Sequence, residues 1–196
     1  MKNGRLFAAR FVPFRESSSE KFSSDSAVFL IDTSASAAPG FSQNIKSLRE
    51  IISKSNLKEI YIYGFDNKLT YYGSSASDLD RLAQTVPLGS SGLHSALSEL
   101  KKKDELKNSR LILVSDAVAT SGTLEKSKIA DAVKSAQWVS RLDVIVPGAY
   151  RDEALISELI RSGRINGTQV GLAEGTDEIL KRLSSKVHSG NRLSLA

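Results

Sequence analysis

The sequence predicts an α/β fold, with a central mostly parallel sheet, one antiparallel edge strand, and helices on both faces. Three observations carry this. Residues 27–31, 110–115 and 143–146 are short, nearly continuous apolar runs, the pattern of strands covered on both sides. Segments with apolar residues at helical spacing separate them, as crossover helices do between parallel strands. A single pair of β-rich runs, 59–65 and 68–72, is joined only by Asp66 and Asn67, the length and chemistry of a hairpin. With 196 residues, 40% of them hydrophobic and 25% charged, the chain suits one ordinary globular domain.

Taken in order, residues 5–14 read as a strand or extended lead-in with Pro13 near its end, and the serine-rich stretch 17–26 as a loop. The first buried strand is 27–31. A helix over 41–54 follows, with Ile45, Leu48, Ile51 and Ile52 on one face. After the hairpin, 78–86 is a short helix with Ser77 as N-cap. Residues 92–103 form an amphipathic helix through Leu93, Ala96, Leu97 and Leu100. Its Lys101-Lys102-Lys103 end reads as solvated, because cations at a helix C-terminus oppose the dipole charge there.

The strand 110–115 comes next, then a long helix over 124–140 with Ile129, Ala132, Val133 and Ala136 on one face. The strand 143–146 stops at Pro147-Gly148, and a helix over 152–161 is closed by Gly163. Residues 169–172 form the last strand, and 176–187 the last helix, with Thr176 as N-cap and Asp177 and Glu178 in its first turn. The organisation is thus a lead-in over 1–26, a domain over 27–187 and a basic tail over 188–196.

Composition excludes several chemistries. There is no cysteine, hence no disulfide, thiol nucleophile or thiolate metal site. His94 and His188 are the only histidines, so a three-histidine site within one chain is impossible. A metal would be held by oxygen, which favours Mg²⁺, with Mn²⁺ or Ca²⁺ as alternatives. No P-loop and no Gly-x-Ser-x-Gly elbow occurs. No apolar run is long enough to span a bilayer. Residues 1–14 are interrupted by Arg10 and lack a signal peptide's apolar segment, so the chain reads as cytoplasmic unless it belongs to a longer protein.

The net charge of +5 is unevenly placed. Residues 1–22 carry +3 and residues 181–196 carry +4, which leaves −2 on the body. A nucleic-acid surface would gather its charge on one face. Two solvated basic ends fit this distribution better.

The chemistry gathers where strands end, the edge at which α/β sheets bind ligands. The first buried strand runs into Asp32-Thr33-Ser34-Ala35-Ser36, and the strand 110–115 into Asp116. Between them in sequence lies Gly89-Ser90-Ser91-Gly92, a hydroxyl-rich loop entering a helix. If the two strands are neighbours, two carboxylates and several hydroxyls meet at one point. Such a set suits a small hard cation, and neutral hydroxyl ligands would leave the ion electrophilic enough to seek an Asp or Glu from a protein partner. Without an ion, Asp32 and Asp116 would repel each other.

At these residues the sequence resembles the von Willebrand factor A domain with its metal-ion-dependent adhesion site. Asp32, Ser34 and Ser36 match that site's Asp-x-Ser-x-Ser. Ser91 stands where the family has Thr before a helix, and Asp116 matches its later Asp. The resemblance covers residues 27–187 and implies a Rossmann-like sheet and a Mg²⁺ held by Asp32, Ser34, Ser36, Ser91 and Asp116. It also implies a non-enzymatic role in protein binding or adhesion. Ala35 and Ala117 replace common glycines and Ser91 replaces Thr, but no ligand oxygen is lost. The lead-in 6–14 is similar to the strand preceding this domain in inter-alpha-trypsin inhibitor heavy chains.

Thr33, Ala37, Pro39 and Gly40 are expected to rim the site. His94, Trp138, Tyr71 and Tyr72 are expected to be ordinary helix, core and sheet residues. A phosphotransferase is disfavoured, because many such enzymes place a second carboxylate two residues after the first, and position 34 is serine. The remaining alternative is a scaffold acting in a complex without metal, or associated with nucleic acid through the basic ends.

Overall fold

A computed structural model describes residues 25–184 of the chain. The strands are β1 (Ser26–Asp32), β2 (Glu59–Phe65), β3 (Leu69–Gly73), β4 (Arg110–Val114), β5 (Arg141–Val146) and β6 (Gln169–Gly171). They form one sheet in the order β3-β2-β1-β4-β5-β6. Every neighbouring pair is parallel except the β2–β3 hairpin at one edge, as the sequence predicted. The helices are α1 (Phe41–Lys54), α2 (Leu79–Ala83), α3 (Leu93–Leu100), α4 (Lys126–Lys134), α5 (Glu153–Leu159) and α6 (Thr176–Ser184).

Strand alternation divides the core between the two faces. Val28 and Leu30 of β1 join Leu111 and Leu113 of β4 under α3, α4 and α5. Ala27, Phe29 and Ile31 join Ile112 and Val114 under α1, α2 and α6. Because each strand is apolar on both faces, β1 and β4 are buried from end to end. From β1 the chain first winds one way, to β2 and β3, and then returns to place β4 on the other side of β1. The gap between the carboxyl ends of β1 and β4 is therefore the topological switch point, where crossovers leave in opposite directions and open a crevice.

Helix ends differ from the apolar spacing in instructive ways. The pattern over 124–140 continues through Ala136, Trp138 and Val139, yet α4 stops at Lys134. These later residues are buried in the connection to β5, and Trp138 Nε1 donates to Leu100 O at 3.1 Å. Apolar spacing reports burial, and here a non-helical turn supplies it. The helix read over 92–103 likewise stops at Leu100, and Asp104–Leu106 form a 3-10 turn. Before α2, Ala76–Asp78 form another such turn. The group that fixes it is Asp78 rather than Ser77: its carboxylate accepts from the Ser74 and Ser75 backbone N–H groups, both at 2.9 Å. Thr176 lies in the first turn of α6 instead of capping it, and Ile179 N donates to Gly175 O at 3.0 Å.

β5 begins two residues before the predicted strand because Arg141 and Asp143 are buried in it. Asp143 accepts from Arg110 and Arg141 side chains and from Thr168 N at 2.8 Å. Arg110 also donates to Leu183 O at 2.7 Å, which ties α6 to the sheet. This cluster lies at the amino end of the strands, opposite the switch point. The lead-in, residues 17–24 of the serine-rich stretch, His188 and the tail lie outside the described residues. Among the described residues, no helix is long and apolar enough to cross a membrane.

Candidate metal centre

Asp32 is the last residue of the central strand and is buried. Register explains its surroundings. Ile31 pairs with Val114, so the next level places Asp32 beside Ser115. Ser115 Oγ donates to Asp32 Oδ2 at 2.8 Å. Oδ1 accepts the Ser34 backbone N–H at 2.9 Å, which folds the chain back as it leaves the strand. Ser91 Oγ donates to Oδ2 at 3.2 Å, across 59 residues of sequence. Ser34 Oγ and Ser36 Oγ lie 3.1 Å apart, with Ser34 buried and Ser36 exposed. Burial raises the Asp32 pKa above the ordinary carboxylate value; hydrogen bonds from Ser34 and Ser115 oppose the rise, and the negative charge of Asp116 adds to it.

The backbone of all three segments is locked together. Thr33 N donates to Phe65 O, Leu88 N to Thr33 O, and Ala35 N to Gly89 O. The Ser91 N–H donates to Thr120 Oγ1 at 2.7 Å. Asp116 turns the chain after β4 by accepting Val118 N at 2.9 Å, and its carbonyl accepts Asp152 N from the loop after β5. Ala117, where the resemblance expected glycine, has φ 58° and is fully buried. A side chain there carries backbone strain that glycine would not.

All five candidate ligands thus stand on the three segments that meet at the switch point. Asp32, Ser34 and Ser91 are directly or closely linked, Ser36 joins through Ser34, and Asp116 acts on Asp32 through its charge. Thr33, expected at the rim, is buried, whereas Pro39 and Gly40 are exposed. Ser115 and Thr120, which hydrogen-bond to candidate ligands, are positions that the sequence reading missed. Ser115 could be found only from the β1–β4 register, and Thr120 only from the path of the loop after β4. His94 is half-buried in the first turn of α3, and Tyr71 and Tyr72 lie on β3, as expected.

The donor set fits a hard divalent cation. It contains only oxygen, from two carboxylates and three hydroxyls. Among the described residues no three His, Cys, Asp or Glu side chains converge, so hydroxyls must share the work of holding an ion. A cavity of about 30 Å³ opens beside Asp32, Ser36, Ser115 and Asp116, with Ile31, Phe41 and Val114 as its apolar wall. That exceeds the roughly 10–15 Å³ one water needs.

No protein-family model matches the chain, and no curated protein matches it either. Solved structures do resemble it. A von Willebrand factor type A structure from Catenulispora acidiphila superposes with TM-score 0.64 at 12% identity, covering 84% of this chain and 43% of that one. The chain has the von Willebrand factor A fold. Proximal thread matrix protein 1 from the mussel byssus gives TM-score 0.60 at 14% identity, over 81% of this chain and 46% of that protein. BatB from Bacteroides thetaiotaomicron gives 0.61 at 12% identity, over 83% of this chain and 96% of that one. The chain therefore spans less than half the length of the first two. A further structure of the mussel protein, with TM-score 0.58 and 14% identity, is described as having a zinc-occupied MIDAS motif.

Proposed function

We propose that this von Willebrand factor A fold is a non-enzymatic protein-binding module. Asp32, Ser34, Ser36, Ser91 and Asp116 hold a divalent cation, Mg²⁺ first and Mn²⁺ or Ca²⁺ as alternatives. An Asp or Glu of a protein partner completes its shell. The observation that carries this reading is the meeting of five oxygen-bearing side chains from three segments around a buried Asp32 at the switch point. The mussel neighbour with a zinc-occupied motif adds support.

A bound ion would supply a concentrated positive charge that neutralises the two carboxylates and attracts an anionic side chain. The chain's own residues do the positioning. The Ser34 N–H and Ser115 hydroxyl fix the Asp32 carboxylate, and Thr120 fixes the loop that carries Ser91. Titration of Mn²⁺ followed by electron paramagnetic resonance tests the site. One saturable ion should bind, and Asp32→Ala and Ser91→Ala should abolish it. The absence of saturable binding in the wild type would overturn the reading.

One observation favours a second reading, that of a metal-free scaffold. The hydroxyls already have partners without an ion: Ser91 and Ser115 bond to Asp32, and Ser34 contacts Ser36. On that reading the same network is a structural cap on β1, and partner binding is indifferent to EDTA.

A further inference from the structure

Six large apolar side chains are exposed among the described residues: Tyr71, Val86, Leu88, Leu124, Tyr150 and Ile165. Tyr71 lies on the edge strand β3, and Ile165 at the amino end of the sheet, where it bridges to Arg141. The other four are 57% to 78% exposed, and all lie on loops at the carboxyl edge, the edge that carries the candidate metal centre. Isolated exposed apolar residues are ordinary, but their concentration on one functional edge is informative.

Their placement is fixed. Leu88 donates its backbone N–H to Thr33 O, and the next residue, Gly89, accepts from Ala35 between Ser34 and Ser36. Leu88 and Val86 therefore stand on the β1–β2 side of the site. Tyr150 precedes Asp152, whose N–H is held by Asp116 O. Leu124 precedes Lys126, whose Nζ pairs with Asp152 Oδ1 at 2.7 Å. Leu124 and Tyr150 therefore stand on the β4–β5 side. The side chains are open to water; the Leu88 backbone is hydrogen-bonded to the site directly, and Val86, Leu124 and Tyr150 each stand two residues from a group tied to it. Such anchors lose little freedom on binding.

We propose that the partner is a protein segment in which an Asp or Glu is flanked on both sides by large apolar residues. The acid enters the centre, and the flanking side chains cover Leu88 and Val86 on one side and Leu124 and Tyr150 on the other. The acidic half of this inference rests on the metal-centre reading above, and the apolar half rests on the rim alone. A cation-loaded site complements the acid in charge, and covering the exposed apolar anchors with apolar side chains of the partner removes their surface from water.

Displayed nine-residue peptides test it. Three libraries carry Asp, Ala or Lys at the centre, with the other positions randomised, and are panned on the full chain with Mg²⁺ and with EDTA. The Asp library should enrich in Mg²⁺ only, with Leu, Ile, Phe or Trp on both sides of the acid. Leu88→Ser and Tyr150→Ser should each weaken a selected peptide about tenfold. Both sites are exposed, so Tm should stay within about 2 °C of wild type. Ile165→Ser, at the opposite edge, should leave binding unchanged.

Enrichment of Asp peptides without apolar flanks, or indifference to both rim variants, overturns this inference and leaves the metal centre standing. Apolar-flanked Lys or Ala peptides that bind equally in EDTA overturn the metal reading, and with it the acidic half. No enrichment in any library overturns the inference. Concentration-dependent self-association in sedimentation, lost in Leu88→Ser, would assign the rim to a second copy and overturn it too.

Discussion

Asp32→Asn separates a metal ligand from a structural cap, because the first role shows its loss of stability only with Mg²⁺ and the second already in EDTA. The carboxylate has three donors: Ser34 N on one oxygen, and the Ser91 and Ser115 hydroxyls on the other. In the variant, the amide oxygen can keep the rigid backbone N–H of Ser34. The amide nitrogen then faces two hydroxyls, which can rotate to accept from it. No buried polar atom need be orphaned, and the cost of holding a charge in a buried place beside Asp116 disappears. In metal-free buffer the variant should therefore lie within about 1 kcal/mol of wild type, on either side.

Added Mg²⁺ should break that near-equality. At about 100 times its dissociation constant, an ion stabilises the state that binds it by about 2.7 kcal/mol. For a domain of this size that raises Tm by about 5–10 °C. Wild type should gain this shift, and Asp32→Asn should lose most of it. The assay is thermal unfolding followed by circular dichroism, with EDTA and then with a Mg²⁺ series. The reasoning is refuted if wild type is indifferent to Mg²⁺ and the variant unfolds far below it in EDTA. That result would make Asp32 a cap on β1 and favour the metal-free scaffold.

Other outcomes follow from the same structure. Ser115→Ala removes a donor to Asp32 and the acceptor of Ala117 N, and should cost about 1–3 kcal/mol in urea unfolding while weakening Mn²⁺ binding. Asp143→Ala removes the carboxylate that two buried arginines share at the far end of the sheet. It should cost about 3–5 kcal/mol, and the Tm rise produced by Mg²⁺ should survive in whatever fraction folds. Gly167→Ala would drive a Cβ into the Leu142 carbonyl oxygen, so the segment leading into β6 must move, and circular dichroism should report a Tm lowered by several degrees.

Asp152 should give the chain an acid-dependent contribution. Its burial pushes its pKa up, but the Lys126 side chain and Leu155 N–H outweigh this and hold it below 3.8. A lowered carboxylate pKa stabilises the fold above the unfolded value and loses that contribution as pH falls through the folded one. Wild type and Asp152→Asn should therefore differ in urea midpoint at pH 6, and the difference should shrink as acid protonates Asp152 in the folded state. A difference that stays constant as pH falls would remove the ionised group from the explanation.

The sequence by itself determined the order and type of the elements. Strands apolar on both faces, such as residues 27–31 and 110–115, can only be central in a covered sheet, and α1 declared its face through Ile45, Leu48, Ile51 and Ile52. The residues of the candidate site were also legible, since Asp32, Ser34, Ser36, Ser91 and Asp116 stand at strand ends and a loop where that chemistry has a place to meet. Their convergence was not legible, because it depends on β4 lying beside β1 at a fixed register, and register comes from packing across the sheet. That register puts Ser115 against Asp32 and buries Thr33. Helix ends and buried charge were tertiary decisions for the same reason. Trp138 is apolar whether a helix or a turn buries it, and nothing local in the sequence shows that Arg110, Arg141 and Asp143 meet in the interior. Local sequence fixes what a segment can do with its own neighbours, whereas contacts across many residues decide which groups leave water.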